Sequence, residues 1–208
     1  CGCFSRGVWG KPRMSVHLVR VKGSALEHKF FFQGKVNSRM EEMLMRTIDQ
    51  FYSITGELVQ RLGIPKVYSI HLDAKGGNNY SRGDRLNLNT TNLTEWTVTH
   101  ELAHALDAAH NWKLSQQMRV HTGSGFSFKA LHYARPGWKL FWYRVGSPPP
   151  PCGIDKNFNS LEDFAETVTA YIYPDEAKRR AEMRGYPYEK WGYTHFHDTP
   201  RGLYFKKL

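Results

Sequence analysis

A chain of 208 residues with 40% hydrophobic and 14% aromatic content is long enough for one packed core and too apolar for wholesale disorder. No run approaches the ~18 consecutive apolar residues of a membrane-spanning helix, so a soluble protein without an integral membrane segment is expected. Lys and Arg exceed Asp and Glu by 29 to 19, and the resulting +10 favours anionic surfaces such as nucleic acid, phospholipid or wall polymers without choosing among them. Only Lys178-Arg179-Arg180 and Lys206-Lys207 cluster, so a solvated basic surface is the plainer reading.

Residues 1–13 are rich in Gly and basic residues and read as a loosely held arm, leaving 14–208 as a single domain. A first residue other than Met suggests a processed or trimmed product, with Cys1 either a lipid-bearing residue left by signal removal or merely the place where the chain was cut. A bridge from Cys1 or Cys3 to Cys152, held stiffly by Pro148 to Pro151, would staple the arm to that loop and leave one thiol over. A secreted or cell-surface bacterial protein is the corresponding expectation.

In chain order, Met14 to Lys22 and Phe30-Phe31-Phe32 read as strands. Met40, Met43, Leu44, Thr47, Ile48, Phe51, Leu58 and Leu62 recur at threes and fours, which predicts an amphipathic helix over 38–62, closed by Gly63 and Pro65. Lys66 to Leu72 and Arg85 to Asn89 follow as strands on either side of a turn-rich Gly76 to Asp84. Asn92 with Glu95 resembles a capping box opening a helix through Trp96, Thr99, Leu102, Ala103 and Leu106. Residues 111–135 mix loop and short helix, 136–159 form a Pro/Gly-rich insertion, and Ser160 with Asp163 caps a helix that reaches Tyr173 before Pro174 stops it. The class is α+β, a small mixed sheet packed on two helices.

The chemistry lies on the helix after Asn92, in His100-Glu101-Leu102-Ala103-His104. Histidines four apart lie on one helical face about a turn from each other and can grip one metal ion, with Glu101 beside them. Zinc takes neutral imidazoles, keeps a fourth position for water and lowers that water's pKa towards ~7, so an adjacent carboxylate can accept its proton. The third ligand has three candidates. His110 lies at the metzincin spacing, but Asp107 stands where that family has Gly, and on a continuing helix His110 would point some 240° away from His104. His121, in HTGSGFSFKAL, faintly matches the third histidine of SprT-like proteases acting on DNA-bound protein. Glu162, in SLEDFAE, shares a helical face with Glu166, and two carboxylates there call for a cation.

HELAHALD followed by EDFAE resembles the gluzincins, in particular the zinc peptidases related to the anthrax lethal factor catalytic domain and the Pro-Pro endopeptidases. The resemblance covers roughly 85–173 and implies a zincin-like fold and a zinc-dependent endopeptidase acting on a protein or peptide. It implies one catalytic Zn2+ on His100, His104 and Glu162, with Glu101 as general base. Glu166 would orient a ligand histidine from behind, with Asp107 a further candidate for such a part. The family places a Tyr seven residues before the glutamate to stabilise the oxyanion; Asp155 stands there, so Tyr133 in HYARPG, with Tyr143 behind it, is the substitute. The strand Arg85 to Asn89 would be the edge that pairs with an extended substrate. The alternatives are a SprT-like DNA-associated protease using His121, and a non-catalytic metal-binding toxin or adhesion module, against which the intact Glu101 argues. His195 and His197 form an HxH pair that reads as surface decoration.

Overall fold

Alternating apolar residues build the sheet. Phe30 and Phe32, Ile70 and Leu72, and Leu86 and Leu88 are all buried, and they stand two apart on three neighbouring strands, so they share one face. Phe32 lies opposite Ile70, which lies opposite Leu86; Leu72 lies opposite Leu88. Burying each such side chain contributes about 1.5–3 kcal/mol, which makes this face a principal source of stability. Gly34, at φ 127°, is opposite Leu72, and a Cβ on it would meet the Leu72 carbonyl oxygen at 2.5 Å, so only glycine lets the two strands approach there.

The structure is a computed structural model that describes residues 14–20, 27–34, 37–62, 67–73, 79–82, 84–122, 125–126, 141–142, 159–185 and 187–208. The expected arm, the three cysteines and most of the 136–159 insertion lie outside the described residues. The architecture is α+β. Strands β1 (Met14–Arg20), β2 (Glu27–Gly34), β3 (Val67–Asp73), β4 (Tyr80–Arg82) and β5 (Arg85–Asn89) form one mixed sheet in the order β1-β2-β3-β5-β4, antiparallel at both outer pairs and parallel within. A separate two-stranded pairing joins β6 (Gly125–Phe126) to β7 (Phe141–Trp142).

Helix α1 (Ser38–Leu62) links β2 to β3 and has the predicted bounds. Its Leu44, Ile48, Phe51, Tyr52, Leu58 and Val59 are buried, and Tyr52 meets Phe30 edge-on at 5.7 Å between ring centroids. Helix α2 (Glu95–Ala109) is buried nearly all round, among α1, α4, β4 and β5. Its cap differs from the expected one. Thr94, not Asn92, accepts the Thr97 amide, and Glu95 instead pairs with Arg46 of α1. Helices α3 (Lys113–Thr122), α4 (Ser160–Ile172), α5 (Pro174–Met183) and α6 (Pro200–Lys207) complete the chain, and α4 packs along α2. No described helix is long and apolar enough to cross a membrane.

The cap of α4 also differs, here one residue earlier than expected: the Asn159 Oδ1 accepts the amides of Leu161 and Glu162 at 2.8 and 3.2 Å. Asp163 is thereby released from capping and makes a paired ion contact with Arg201 of α6, at 2.7 and 2.9 Å, with both side chains fully buried. Pro174 does end α4, but it also begins α5, since a proline at the first helical position lacks only an amide that has no partner there anyway.

Strand β5 corrects the expected substrate edge. It lies inside the sheet between β3 and β4, so its backbone groups are already taken, and the edge on that side is β4. Three residues of strand in an Asn- and Gly-rich stretch are too few to show an alternating pattern. At the end of the β4–β5 pair away from its turn, the Asn79 side chain accepts the Asn89 amide at 2.7 Å.

Candidate metal centre

Position four turns of α2 beside the first turn of α4 and three donor atoms converge. His100 Nε2 lies 3.0 Å from Glu162 Oε2 and 3.1 Å from His104 Nε2, and His104 Nε2 lies 3.3 Å from the same carboxylate oxygen. The two rings stand nearly perpendicular, their centroids 4.7 Å apart. A tetrahedral ion with bonds of 2.0–2.1 Å holds its ligand atoms about 3.3 Å apart, so this triangle has the size that a zinc-like ion needs. Among the described residues, His100, His104 and Glu162 are the group that could hold a metal ion. Their side chains keep 15%, 12% and 22% exposure, which leaves the donor atoms a route to solvent.

Behind them the site is closed. His100 Nδ1 lies 2.9 Å from Glu166 Oε1, one helical turn along α4 from Glu162, and Glu166 keeps only 3% exposure. His100 is therefore held between two carboxylates. Burial works against its charge, but the contacts with Glu162 and Glu166 prevail and raise its pKa to about 10 when no metal is bound. Glu162 is also opposed by burial, yet its contacts with His100 and His104 hold it far below the usual carboxylate range. Lone-pair donors crowded this closely need a cation, and a proton on His100 meets that need when no ion is present.

Glu101 is buried beside the triangle, with its Oε2 atom unpartnered among the described residues. Burial raises its pKa, and the charges of His100 and His104 only partly offset the rise. A buried carboxyl shifted upward, with one oxygen unpartnered among the described residues, is suited to exchanging a proton with a small molecule.

Asp107 plays a part the sequence did not disclose. Its Oδ1 accepts the amides of Leu114 and Ser115 at 3.0 and 3.2 Å, so it caps α3 from a turn beyond His104. Burial raises its pKa, while those amides and the nearby His104 pull it down. The turn between the helices places Asn111 and Trp112 at φ 55° and 59°, and α2 stops at Ala109 with His110 at its C-cap, so His110 leaves the helix rather than continuing it. His110 is not among the converging donors.

His121 lies on the last turn of α3 with its ring 5.3 Å from that of Tyr204, in a shallow groove shared with Lys113, Gln116, Gln117 and Val120, and it too stands outside the donor group. His195 and His197 are engaged with backbone: His197 Nε2 lies 2.8 Å from the Tyr171 carbonyl oxygen, and His195 Nδ1 accepts the His197 amide at 3.3 Å. Tyr133, Tyr143 and Asp155 lie outside the described residues. Sequence reasoning missed Arg201, which ties α6 to the residue next to Glu162 and carries no motif that would have announced it.

No family model, curated protein or solved structure matches the chain.

Proposed function

We propose that the chain is a zinc-dependent endopeptidase of the HExxH-plus-glutamate kind. The observation that carries the reading is the convergence of His100 Nε2, His104 Nε2 and Glu162 Oε2 within 3.3 Å of one another, next to a buried Glu101 whose Oε2 has no partner among the described residues. Two imidazoles and one carboxylate are a donor set that zinc takes in catalytic sites while leaving a further position open. Bound there, zinc would acidify a water and polarise the carbonyl of a peptide bond.

The chain's residues supply the rest. His100, His104 and Glu162 would hold the ion, and Glu166 Oε1, 2.9 Å from His100 Nδ1, is placed to favour a proton on that nitrogen, which keeps Nε2 as the lone-pair donor. Glu101 takes the proton from the attacking water and passes it to the amine that leaves, a role that its upward-shifted carboxyl suits. Strand β4, which ends the sheet among the described residues, is the backbone against which an extended peptide would add as a further strand, since α2 packs beside β4. Tyr133 remains the candidate for stabilising the oxyanion.

The test is metal analysis paired with a library of unstructured peptides. One zinc per chain, with cleavage that a chelator abolishes and added zinc restores, supports the reading. Stoichiometric zinc without hydrolysis of any peptide would refute the catalytic half, and no zinc at all would refute both halves.

A further inference from the structure

Of the buried polar atoms around the metal centre that have no hydrogen-bond partner among the described residues, two are chemically complementary. One is Glu166 Oε2, the oxygen not used on His100; the other is the hydroxyl of Tyr188. Glu166 is 2% exposed and Tyr188 is fully buried, so bulk water reaches neither. Tyr188 opens the 3-10 turn Tyr188–Trp191, which follows α5. Its ring belongs to a buried cluster with Ala170, Ala177, Ala181, Trp96 and Phe196. Ala170 follows Glu166 by one turn of α4, on the same face, so the cluster seats the phenol beside the face that carries the glutamate. The two groups also sense each other. Burial is the main cause that lifts the Tyr188 pKa far above its ordinary value, the Glu166 charge adds to it and Arg201 opposes it.

A phenol can give one hydrogen bond and a carboxylate oxygen can take one, whereas leaving both buried and unmet is costly. We propose that Tyr188 is a positioning residue for the metal centre, its hydroxyl linked to Glu166 Oε2 across one buried water. The chain of contacts then runs from Tyr188 to Glu166, to His100 Nδ1 and to the donor atom on the far side of the imidazole. Its effect is to fix the carboxylate in the orientation that keeps His100 Nε2 turned to the ion. This inference rests on the metal-centre reading, because a positioning role needs a ligand to position.

The variant that removes only the hydroxyl is Tyr188→Phe, which keeps the ring and its packing. Glu166→Met removes both carboxylate oxygens at similar volume. Zinc affinity would be measured by competition with a chelator in the full chain, for the wild type, both single variants and the double variant. Cobalt spectra of the same four proteins would report ligand geometry. Direct partners of ligand histidines are worth ~10–100-fold in metal affinity, so a residue one step further out should be worth about 3–10-fold. Tyr188→Phe is therefore expected to weaken zinc by that factor and to shift the cobalt bands, and to do neither in the Glu166→Met background. A parallel urea-unfolding cycle on the metal-free proteins is expected to be non-additive as well, since the water-bridged link does not need the ion. Unchanged zinc affinity in Tyr188→Phe, or an equal loss with and without Glu166, would overturn the proposal. Should the wild type take up no zinc while the unfolding cycle stays non-additive, the water-bridged link stands, and the metal-centre reading and the positioning role fall together.

Discussion

His100 is gripped at both ring nitrogens by one helix: Glu162 meets Nε2 at 3.0 Å and Glu166 meets Nδ1 at 2.9 Å. The i, i+4 spacing of the glutamates on α4 matches the width of an imidazole, so a single helical turn supplies a candidate ligand and the partner that sets the ring's tautomer. Glu162→Ala is expected to lower zinc affinity sharply and Glu166→Ala by ~10–100-fold. His110→Ala and His121→Ala should leave it nearly unchanged, because neither ring approaches the converging donors. Competition titrations with a chromophoric chelator measure all four, and zinc loss in the histidine variants with retention in Glu162→Ala would reverse the assignment.

Glu101 touches no ligand atom closely enough to hold an ion, so its removal should separate binding from chemistry. Glu101→Gln is expected to keep the fold and the bound zinc and to lower kcat for a cleavable peptide by ~10²–10⁴-fold, the usual worth of a general base. Circular dichroism, metal content and cleavage rate on one preparation check the three parts. Near wild-type turnover would mean the proton goes elsewhere.

Metal uptake should release protons. In the metal-free protein His100 has its pKa raised to about 10 from 6.5, so it is charged at neutral pH, and a ligand imidazole must be neutral. Zinc binding between pH 7 and 9 should therefore expel about one proton from this residue, read by calorimetry in two buffers of different ionisation enthalpy. The same shift stabilises the metal-free fold fully below pH 6.5, and that contribution disappears as the pH rises through about 10. Glu162, shifted down from 4.5, contributes above that value and loses its effect as the pH falls. Chelator-treated protein is thus expected to be less stable at both extremes, and a Tm that keeps rising past pH 10 would contradict the pairing.

Arg201 and Asp163 are both buried and paired at 2.7 and 2.9 Å, so removing one takes from the other its buried ionic partner. Arg201→Met should cost about 3–5 kcal/mol, whereas Arg201→Met combined with Asp163→Leu should recover part of that loss. Denaturant unfolding measures both variants. A loss below ~1 kcal/mol in the single variant would show that α4 does not depend on this anchor.

Long-period patterns were legible in the chain and short, non-local ones were not. Helix α1 repeats its apolar spacing over 25 residues and β5 alternates cleanly, and both have the expected bounds. Caps slipped because several Asn, Thr and Ser residues precede each helix, and only three-dimensional aim decides between Asn92 and Thr94, or between Ser160 and Asn159. His100, Glu101 and His104 declared themselves through local spacing. Glu162 could be argued only from a second local motif. Asp163 and Arg201 join segments whose separation hides any pattern, so their relation exists only after folding.

The donors on α2 and α4 lie far apart along the chain, His104 and Glu162 being 58 positions from each other. An ion held by both would act as a reversible cross-link on the unfolded chain's freedom. By the chain-entropy estimate, closing a loop of that length is worth about 4 kcal/mol at 25 °C, on a scale usually associated with a covalent bridge. Loop-closure cost grows only with the logarithm of loop length, so doubling the intervening segment would change this by only about 0.6 kcal/mol. The span between the two helices is thus thermodynamically free to lengthen or shorten, and an ion held at its ends would add to the His100–Glu162 contact that already joins them without one.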